Sequence, residues 1–277
     1  MQPAWGRPEV AHLWVRTTQG AAWTDYGEAI DDLGPPDGLL DMFVTEDRSK
    51  VAVQWGDPWG PHVRSLGEKR RLQTLLSKRK EVDDRGLYLY FSLWSSGHPD
   101  HDVQPDQVSL AIENNGPDRT LLVDASVPLR EADSLLQLCR YVIERWGATY
   151  GLSWGDPGQV PVPPNFANFN ARYVLDLIAP SCVGAGWLVV LPEHVADRVS
   201  IPDGLDNPPI YHKVSGPDRE YVIVQTAPTA LELTDSDLTS WQCALASLVP
   251  DELTDFDVMM RTLADSARQS SEQGDSD

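Results

Sequence analysis

The sequence predicts an α+β fold, in which mostly antiparallel sheet is flanked by amphipathic helices. Short alternating or apolar runs are separated by loops rich in Gly, Pro, Asn and Asp, which is typical of strands joined by turns. Longer segments carry apolar residues at helical spacing. With 41% hydrophobic and 23% charged residues, the 277-residue chain has the composition of a soluble globular protein that can bury a sizeable core.

The N-terminal block is rich in tryptophan and is interrupted by Gly/Pro pairs. Met42–Val44 and Val51–Trp55 are predicted as short strands joined by the turn TEDRSK. Ser65 followed by Glu68 has the S-x-x-E pattern of a capping box, so a helix is expected after it. We predict that residues 1–84 form an α+β segment packed on the main domain.

The middle of the chain predicts an antiparallel meander followed by a helix. The three strands are expected at Leu87–Trp94, Val108–Glu113 and Leu121–Val127. A helix is expected to begin near Pro128–Glu131 and to stop at Gly147. Its core positions, spaced i, i+3, i+4 and i+7, are Leu135, Leu138, Cys139, Val142, Ile143 and Trp146.

The remainder predicts a second group of strands and helices after a proline-rich linker. The linker is Gly155–Asn165, since its prolines sustain neither regular element. The elements expected after it are a helix at Ala171–Ile178, a strand at Trp187–Leu191, a helix start at Pro192–Glu193, a strand at Tyr221–Thr226 and helices at Leu238–Leu248 and Leu253–Ala267. Residues 85–250 are predicted as the main domain, and 251–277 as a helix with a disordered acidic tail.

Charge limits the classes of partner. A net charge of −20 disfavours binding to nucleic acid or to an anionic membrane, because both require a basic surface. It favours encounter with a basic protein, but acidity also serves solubility, so charge alone does not identify the partner. The longest apolar run, around Val183–Pro192, is too short to span a bilayer, and the start lacks the pattern of a signal peptide. We therefore expect a cytoplasmic protein with no membrane contact.

Chemistry-bearing motifs are absent from the sequence. There is no glycine-rich phosphate loop and no G-x-S-x-G elbow, and His98 and His101 have no third metal ligand at a recognised spacing. The cysteines Cys139, Cys182 and Cys243 form no CxxC pair and are expected to be buried free thiols. We predict no enzyme activity, no cofactor and no metal.

Aromatic residues beside acids are the candidates for a protein-binding surface, because such patches form hot spots for basic partners. Trp94 is expected at a strand end facing an acidic loop, and Trp154 in a loop beside Asp156. Whether these tryptophans bind a partner or cap the ends of the sheet is left open by the sequence. The predicted partner-binding residues are Trp94, Asp100, Asp102, Asp106, Trp154, Asp156, Glu193, Asp218 and Glu220.

The order of these elements resembles the Immunity protein 52 family of bacterial polymorphic toxin systems. The resemblance rests on LYLYFSLWSSG, RTLLVDASVP, LLQLCRYVIERWGATYGLSW, GAGWLVVLP and EYVIVQTAPTALEL, and it covers Arg85–Pro250, about 60% of the chain. The chain departs from the family by having WSSGHPDHD where a compact W-N-G turn is expected. It also lacks the proline–aspartate step between Trp146 and Gly147.

The resemblance implies an antidote that binds a cognate toxin, commonly a basic nuclease, and blocks it without catalysis. Two alternatives stand beside it. One is a divergent acyltransferase-like enzyme, which would have a pocket with convergent polar groups and bind an acyl donor. The other is a secretion-system adaptor or scaffold, which would have several partners or assemble with itself.

Overall fold

A computed structural model describes residues 10–21, 23, 26–33, 51–55, 62–65, 87–93, 109–115, 120–156 and 185–246. The described part is an α+β fold built on one antiparallel sheet of ten strands. The strands are β1 (Val10–Arg16), β2 (Val51–Trp55), β3 (His62–Ser65), β4 (Leu87–Leu93), β5 (Ser109–Asn115), β6 (Thr120–Pro128), β7 (Tyr150–Asp156), β8 (Leu188–Pro192), β9 (Ile210–Ser215) and β10 (Glu220–Gln225). Their order across the sheet is β3-β2-β4-β5-β6-β1-β7-β8-β10-β9.

The helices in the described residues are α1 (Tyr26–Leu33), α2 (Asp133–Trp146), α3 (Glu193–Ala196) and α4 (Asp235–Ala246), and a 3₁₀ turn at Leu129–Glu131 precedes α2. Strand β1 pairs antiparallel with both β6 and β7. Because β6 and β7 flank the same antiparallel strand, they run parallel to each other. Helix α2 connects them as the crossover of a split β-α-β unit.

Helix α2 packs on one face of the sheet. Its six predicted core positions are all buried, as the helical spacing indicated. They lie in one apolar cluster with Leu13 and Val15 of β1 and with Leu121 and Val123 of β6. Strand β1 contributes to this cluster because side chains alternate between the two faces of a strand, and every second residue of β1 points to this face and is buried.

The other face of the sheet is covered by α3 and α4. Leu238, Trp241 and Leu245 of α4 are buried in a second cluster. Three strands of the sheet, β7, β8 and β10, contribute buried residues to this cluster: Tyr150, Leu152, Val189, Leu191, Val222 and Val224. Strands β7, β8 and β10 are therefore buried on both faces, which accounts for the continuous apolar run of β8.

The predicted meander is confirmed, since β4, β5 and β6 are antiparallel neighbours in chain order. The predicted strands at Val51–Trp55, Trp187–Leu191 and Tyr221–Thr226 are confirmed as β2, β8 and β10 to within one residue at each end. The predicted strand Met42–Val44, the helix after Ser65, and the helices Ala171–Ile178 and Leu253–Ala267 lie outside the described residues.

Three predictions are wrong. Trp154 is not in a loop, because Tyr150–Asp156 form strand β7 between β1 and β8. The linker does not begin at Gly155, since Gly155 and Asp156 belong to the same strand. Cys243 is exposed on α4, whereas Cys139 is buried as predicted and Cys182 lies outside the described residues.

The sheet also contains strands from both sides of the predicted boundary at residue 84. Strands β1, β2 and β3 precede it, and β1 occupies the centre of the sheet. The division into an N-terminal segment and a main domain stays a prediction. Among the residues described, no helix combines the length and the apolar character needed to cross a bilayer.

Candidate protein-binding surface

The hairpin β9–β10 lies at one edge of the sheet and carries two of the predicted acidic residues. A turn at Gly216–Arg219 joins the strands, and the Gly216 N–H donates to the Arg219 carbonyl over 2.9 Å. Asp218 lies in this turn and Glu220 begins β10. Glu193, at the start of α3, reaches the same edge through Lys213 of β9.

Acidic side chains surround Lys213. Its ammonium lies 2.7 Å from Glu193 Oε1; the Lys213 side chain is 76% exposed and the Glu193 side chain 37% exposed. The pKa of Lys213 is raised, first by the hydrogen bond and charge of Glu193 and further by Asp197 and Glu220. Glu193 binds the ammonium directly, and Asp197 and Glu220 add negative charge near it, so this patch, which we call the acidic edge (Glu193, Asp197, Lys213 and Glu220), is net negative.

Large apolar side chains are exposed at the start of β9 and in the loops that flank the β9–β10 hairpin. Ile210 and Tyr211, the first two residues of β9, are 41% and 46% exposed. Ile201 and Leu231, in the loops that lead into β9 and out of β10, are 56% and 60% exposed. Apolar and aromatic groups bordered by charge are the pattern of a protein-binding surface.

Asp218 faces the protein as well as solvent. Its Oδ1 accepts a hydrogen bond of 2.7 Å from the hydroxyl of Tyr221, a residue with no exposed surface. Burial acts to raise the pKa of Asp218, but the hydrogen bonds from Tyr221 and Arg219 outweigh it and the pKa is lowered. Asp218 therefore anchors the turn, and a role in partner binding stays a prediction.

Gly147, which directly follows α2, packs closely against Asp218 of the β9–β10 turn. Gly147 has φ +66° and ψ −175°, a region of backbone space that is essentially restricted to glycine. A Cβ there would overlap the Thr18 hydroxyl and lie 2.6 Å from Asp218 Oδ1. The Thr18 hydroxyl itself donates to the Trp146 carbonyl at 3.0 Å. The end of α2, the loop after β1 and the β9–β10 turn therefore meet at one point.

A second anchor holds the loop that leads into β9. Asp237 in the first turn of α4 has no exposed surface, and its carboxylate accepts from the backbone N–H of Asp206 at 2.7 Å and from the side chain of Asn207 at 2.9 Å. The backbone N–H of Asp237 donates to the Thr234 hydroxyl at 3.0 Å, as in a capping box. These contacts position residues 206–209 and hence the start of β9.

Trp154 belongs to an aromatic cluster on β1 and β7. Its ring stacks on His12 with centroids 5.2 Å apart and meets Trp14 edge-on at 4.6 Å. It is half-buried and packs against the apolar cluster beneath α4. The structure thus gives Trp154 a packing role within the sheet; contact with a partner stays a prediction. For Asp156 only the backbone is described, paired with Val10.

The other predicted partner-binding residues cannot be placed with these. Trp94, Asp100, Asp102 and Asp106 lie outside the described residues. Of the set, the structure brings Glu193 and Glu220 together at the acidic edge and places Asp218 in the adjacent turn. Trp154 lies on β7, three strands away from β9.

Sequence reasoning missed Ile210, Tyr211 and Lys213. A signal was available, because the turn formers Gly216, Pro217 and Asp218 separate a β-branched and aromatic run from the predicted strand that became β10. The prolines Pro208 and Pro209 directly before β9 obscured it, because proline is uncommon within strands.

Metal binding and catalysis would require other arrangements of side chains in the described part of the chain. Within it, no group of three or more His, Cys, Asp or Glu is arranged to hold a metal ion. His12 Nδ1 and Ser126 Oγ are 2.9 Å apart on neighbouring strands. A serine–histidine contact alone is not specific to catalysis, and this one also joins two paired strands.

Comparison of the chain with known protein families, with curated proteins and with solved structures found no match. The resemblance to the Immunity protein 52 family therefore stays a prediction from the sequence.

Proposed function

We propose that this protein is an immunity protein that binds a basic toxin, of the nuclease kind, in the cytoplasm and blocks it without catalysis. The observation that carries the proposal is the acidic edge, where one ion pair and two further carboxylates make a net negative patch beside exposed Ile210 and Tyr211. The order of sequence elements that resembles the Immunity protein 52 family supports it.

The electrostatics fit such a partner. Residues 185–246, which carry the acidic edge, contain nine acidic and three basic residues, in a chain of net charge −20. A nuclease requires a basic surface to bind the phosphates of its substrate. An acidic protein is steered onto that surface, where its carboxylates take the place of phosphate groups. Exposed apolar side chains then supply contacts that do not depend on charge.

Co-expression with the toxin tests the function. The product of the gene beside this one, expressed alone in a bacterial host, is expected to arrest growth, and co-expression of this chain is expected to restore it. Both proteins should then be recovered as one complex by affinity purification. Growth arrest without rescue, together with no complex, would contradict the proposal.

Charge reversal at the acidic edge tests the surface. Replacing Glu220 by lysine is expected to weaken toxin binding about tenfold at low salt, mainly through slower association, because an exposed charge contributes to steering. Glu220 is exposed, and its hydrogen bond from Ser215 is the contact that would be lost.

The control for this variant is Glu144→Lys. Glu144 is exposed on α2, so the substitution changes the net charge equally at a different place. The association rate constants of both variants with the toxin show whether the position of the charge or the net charge sets the rate. Equal slowing by the two variants would show that net charge, and not the acidic edge, sets the rate.

A further inference from the structure

Strand β9 is an edge strand of six residues. It pairs with β10 on one side, and among the described strands none pairs with its other side. Six residues in extended conformation present about 20 Å of edge. The backbone N–H and C=O groups along such an edge can pair with a strand from another molecule.

The hydrogen-bond pattern identifies which groups face outward. The bond from the Gly216 N–H to the Arg219 carbonyl makes this pair a hydrogen-bonded one. In an antiparallel ladder such pairs alternate with non-bonded pairs. With the observed register, Val214 and His212 therefore point their N–H and C=O groups toward β10. Tyr211, Lys213 and Ser215 point theirs outward.

The usual protection of an edge strand is weakened here. A lysine in the middle of an edge strand normally repels an incoming strand. The charge of Lys213 is instead balanced by Glu193 at 2.7 Å, with Asp197 and Glu220 close by. Tyr211 and Ile210 also leave apolar surface open at the start of the strand.

The negative charge beside β9 favours a basic partner strand over a second copy of this chain. A second copy of this chain would bring another acidic edge and another net charge of −20, so self-pairing is opposed by repulsion. An extended segment with lysine or arginine at alternate positions would place its cations beside Glu193 and Glu220. The charges of this edge therefore fit a strand from a basic protein.

We propose that the free edge of β9 binds an extended strand of the basic partner, which extends the sheet by β-augmentation. The proposal rests on the proposed function for the identity of the partner. The incoming strand pairs with the outward N–H and C=O groups of Tyr211, Lys213 and Ser215. Basic side chains on one of its faces contact the acidic edge, and its other face lies beside Ile210, His212 and Val214.

Two variants of one residue separate backbone from side-chain contributions. Lys213→Pro removes the outward N–H and the ammonium, whereas Lys213→Ala removes the ammonium alone. Proline is tolerated on edge strands where the N–H faces solvent, so the fold is expected to persist, and a thermal unfolding curve checks this. The probe is the product of the adjacent gene with its catalytic residue inactivated.

Lys213→Pro is expected to bind the probe about tenfold or more weakly than Lys213→Ala, since one main-chain hydrogen bond is lost and its neighbours are disturbed. Equal affinities for the two variants would overturn the proposal. If Lys213→Pro does not fold, amide hydrogen exchange of the wild-type chain decides instead. Binding should protect the amides of Tyr211, Lys213 and Ser215, and no added protection there would overturn it.

A probe that fails to bind the wild-type chain at all would contradict the proposed function, and the edge is then tested separately. A blocked peptide of alternating lysine and valine should protect the same three amides, whereas the same peptide methylated on alternate backbone nitrogens should not. No protection by the unmethylated peptide would then overturn the proposal. A chain that sediments as a dimer, and becomes a monomer on Lys213→Pro, would show that a second copy occupies the edge.

Discussion

Replacing Gly147 by alanine is expected to lower the free energy of unfolding by about 3–5 kcal/mol. One part of this loss is backbone strain, because φ +66° with ψ −175° is nearly forbidden to residues with a Cβ. The other part is steric, since the new methyl group would overlap the Thr18 hydroxyl and approach the Tyr221 hydroxyl to 2.9 Å. Relief of these contacts would break the hydrogen bond between Tyr221 and Asp218.

Gly204→Ala is the matched control. Gly204 also has a positive φ, of +73°, but a Cβ there would meet nothing within 4 Å. Its loss is expected to be about 1 kcal/mol, from backbone strain alone. Urea unfolding of the two variants measures the difference. If Gly147→Ala loses no more stability than Gly204→Ala, then the junction of α2 with the β9–β10 turn is not tightly packed.

Replacing Asp237 by alanine is expected to cost about 3 kcal/mol of unfolding free energy. The substitution removes the carboxylate that accepts from the N–H of Asp206 and from the side-chain amide of Asn207. Asp235→Ala is the control, because Asp235 lies in the same helical turn but is exposed, and about 0.5 kcal/mol is expected there. Urea unfolding at neutral pH compares them, and equal losses would contradict the anchoring role.

The same anchor predicts a dependence on pH. Burial acts to raise the pKa of Asp237, but the hydrogen bonds from Asn207, from the Asp206 backbone and from Thr234 outweigh it, and the pKa lies below its ordinary value of 3.8. A carboxyl with a lowered pKa in the folded state stabilises fully above its unfolded pKa, and this stabilisation is lost as the pH falls through the folded value. The stability advantage of the wild type over Asp237→Asn should therefore shrink below about pH 3.8. An advantage that stays constant down to pH 2 would contradict this.

The elements predicted correctly are those whose periodicity is set by burial on one face or on both. The six apolar positions of α2 all face the sheet, so the helical spacing survives into the structure. Strands β8 and β10 are buried by helices on both sides, and their apolar runs are equally clear.

Strand β7 was missed because Gly151, Gly155 and Asp156 are residue types that are depleted in strands. A glycine such as Gly151 usually indicates the end of a strand. Here a Cβ would lie 2.5 Å from Cγ2 of Val190, so close packing between neighbouring strands requires the glycine. The misassignment carried over to Trp154, which was expected in a loop. Strand β1 was also not predicted, although buried and partly buried residues alternate regularly along it.

The acidic edge could be predicted only in part. Glu193 and Glu220 were identified as acids beside predicted strands, but 27 residues of sequence separate them. Their proximity depends on the antiparallel pairing of β10 with β8 and β9. Lys213 interacts electrostatically with both glutamates. It is an isolated basic residue in the sequence, so nothing predicts this interaction before the strand pairing is known.

The affinity of this chain for the product of the adjacent gene, measured at two salt concentrations, tests the central claim most directly. Isothermal titration at about 0.05 M salt should give a dissociation constant that is nanomolar or tighter, and the affinity should weaken measurably at about 0.5 M salt, where charges are screened within a few ångströms. No binding at micromolar concentrations, or an affinity that does not change with salt, would contradict an acidic surface that neutralises a basic toxin.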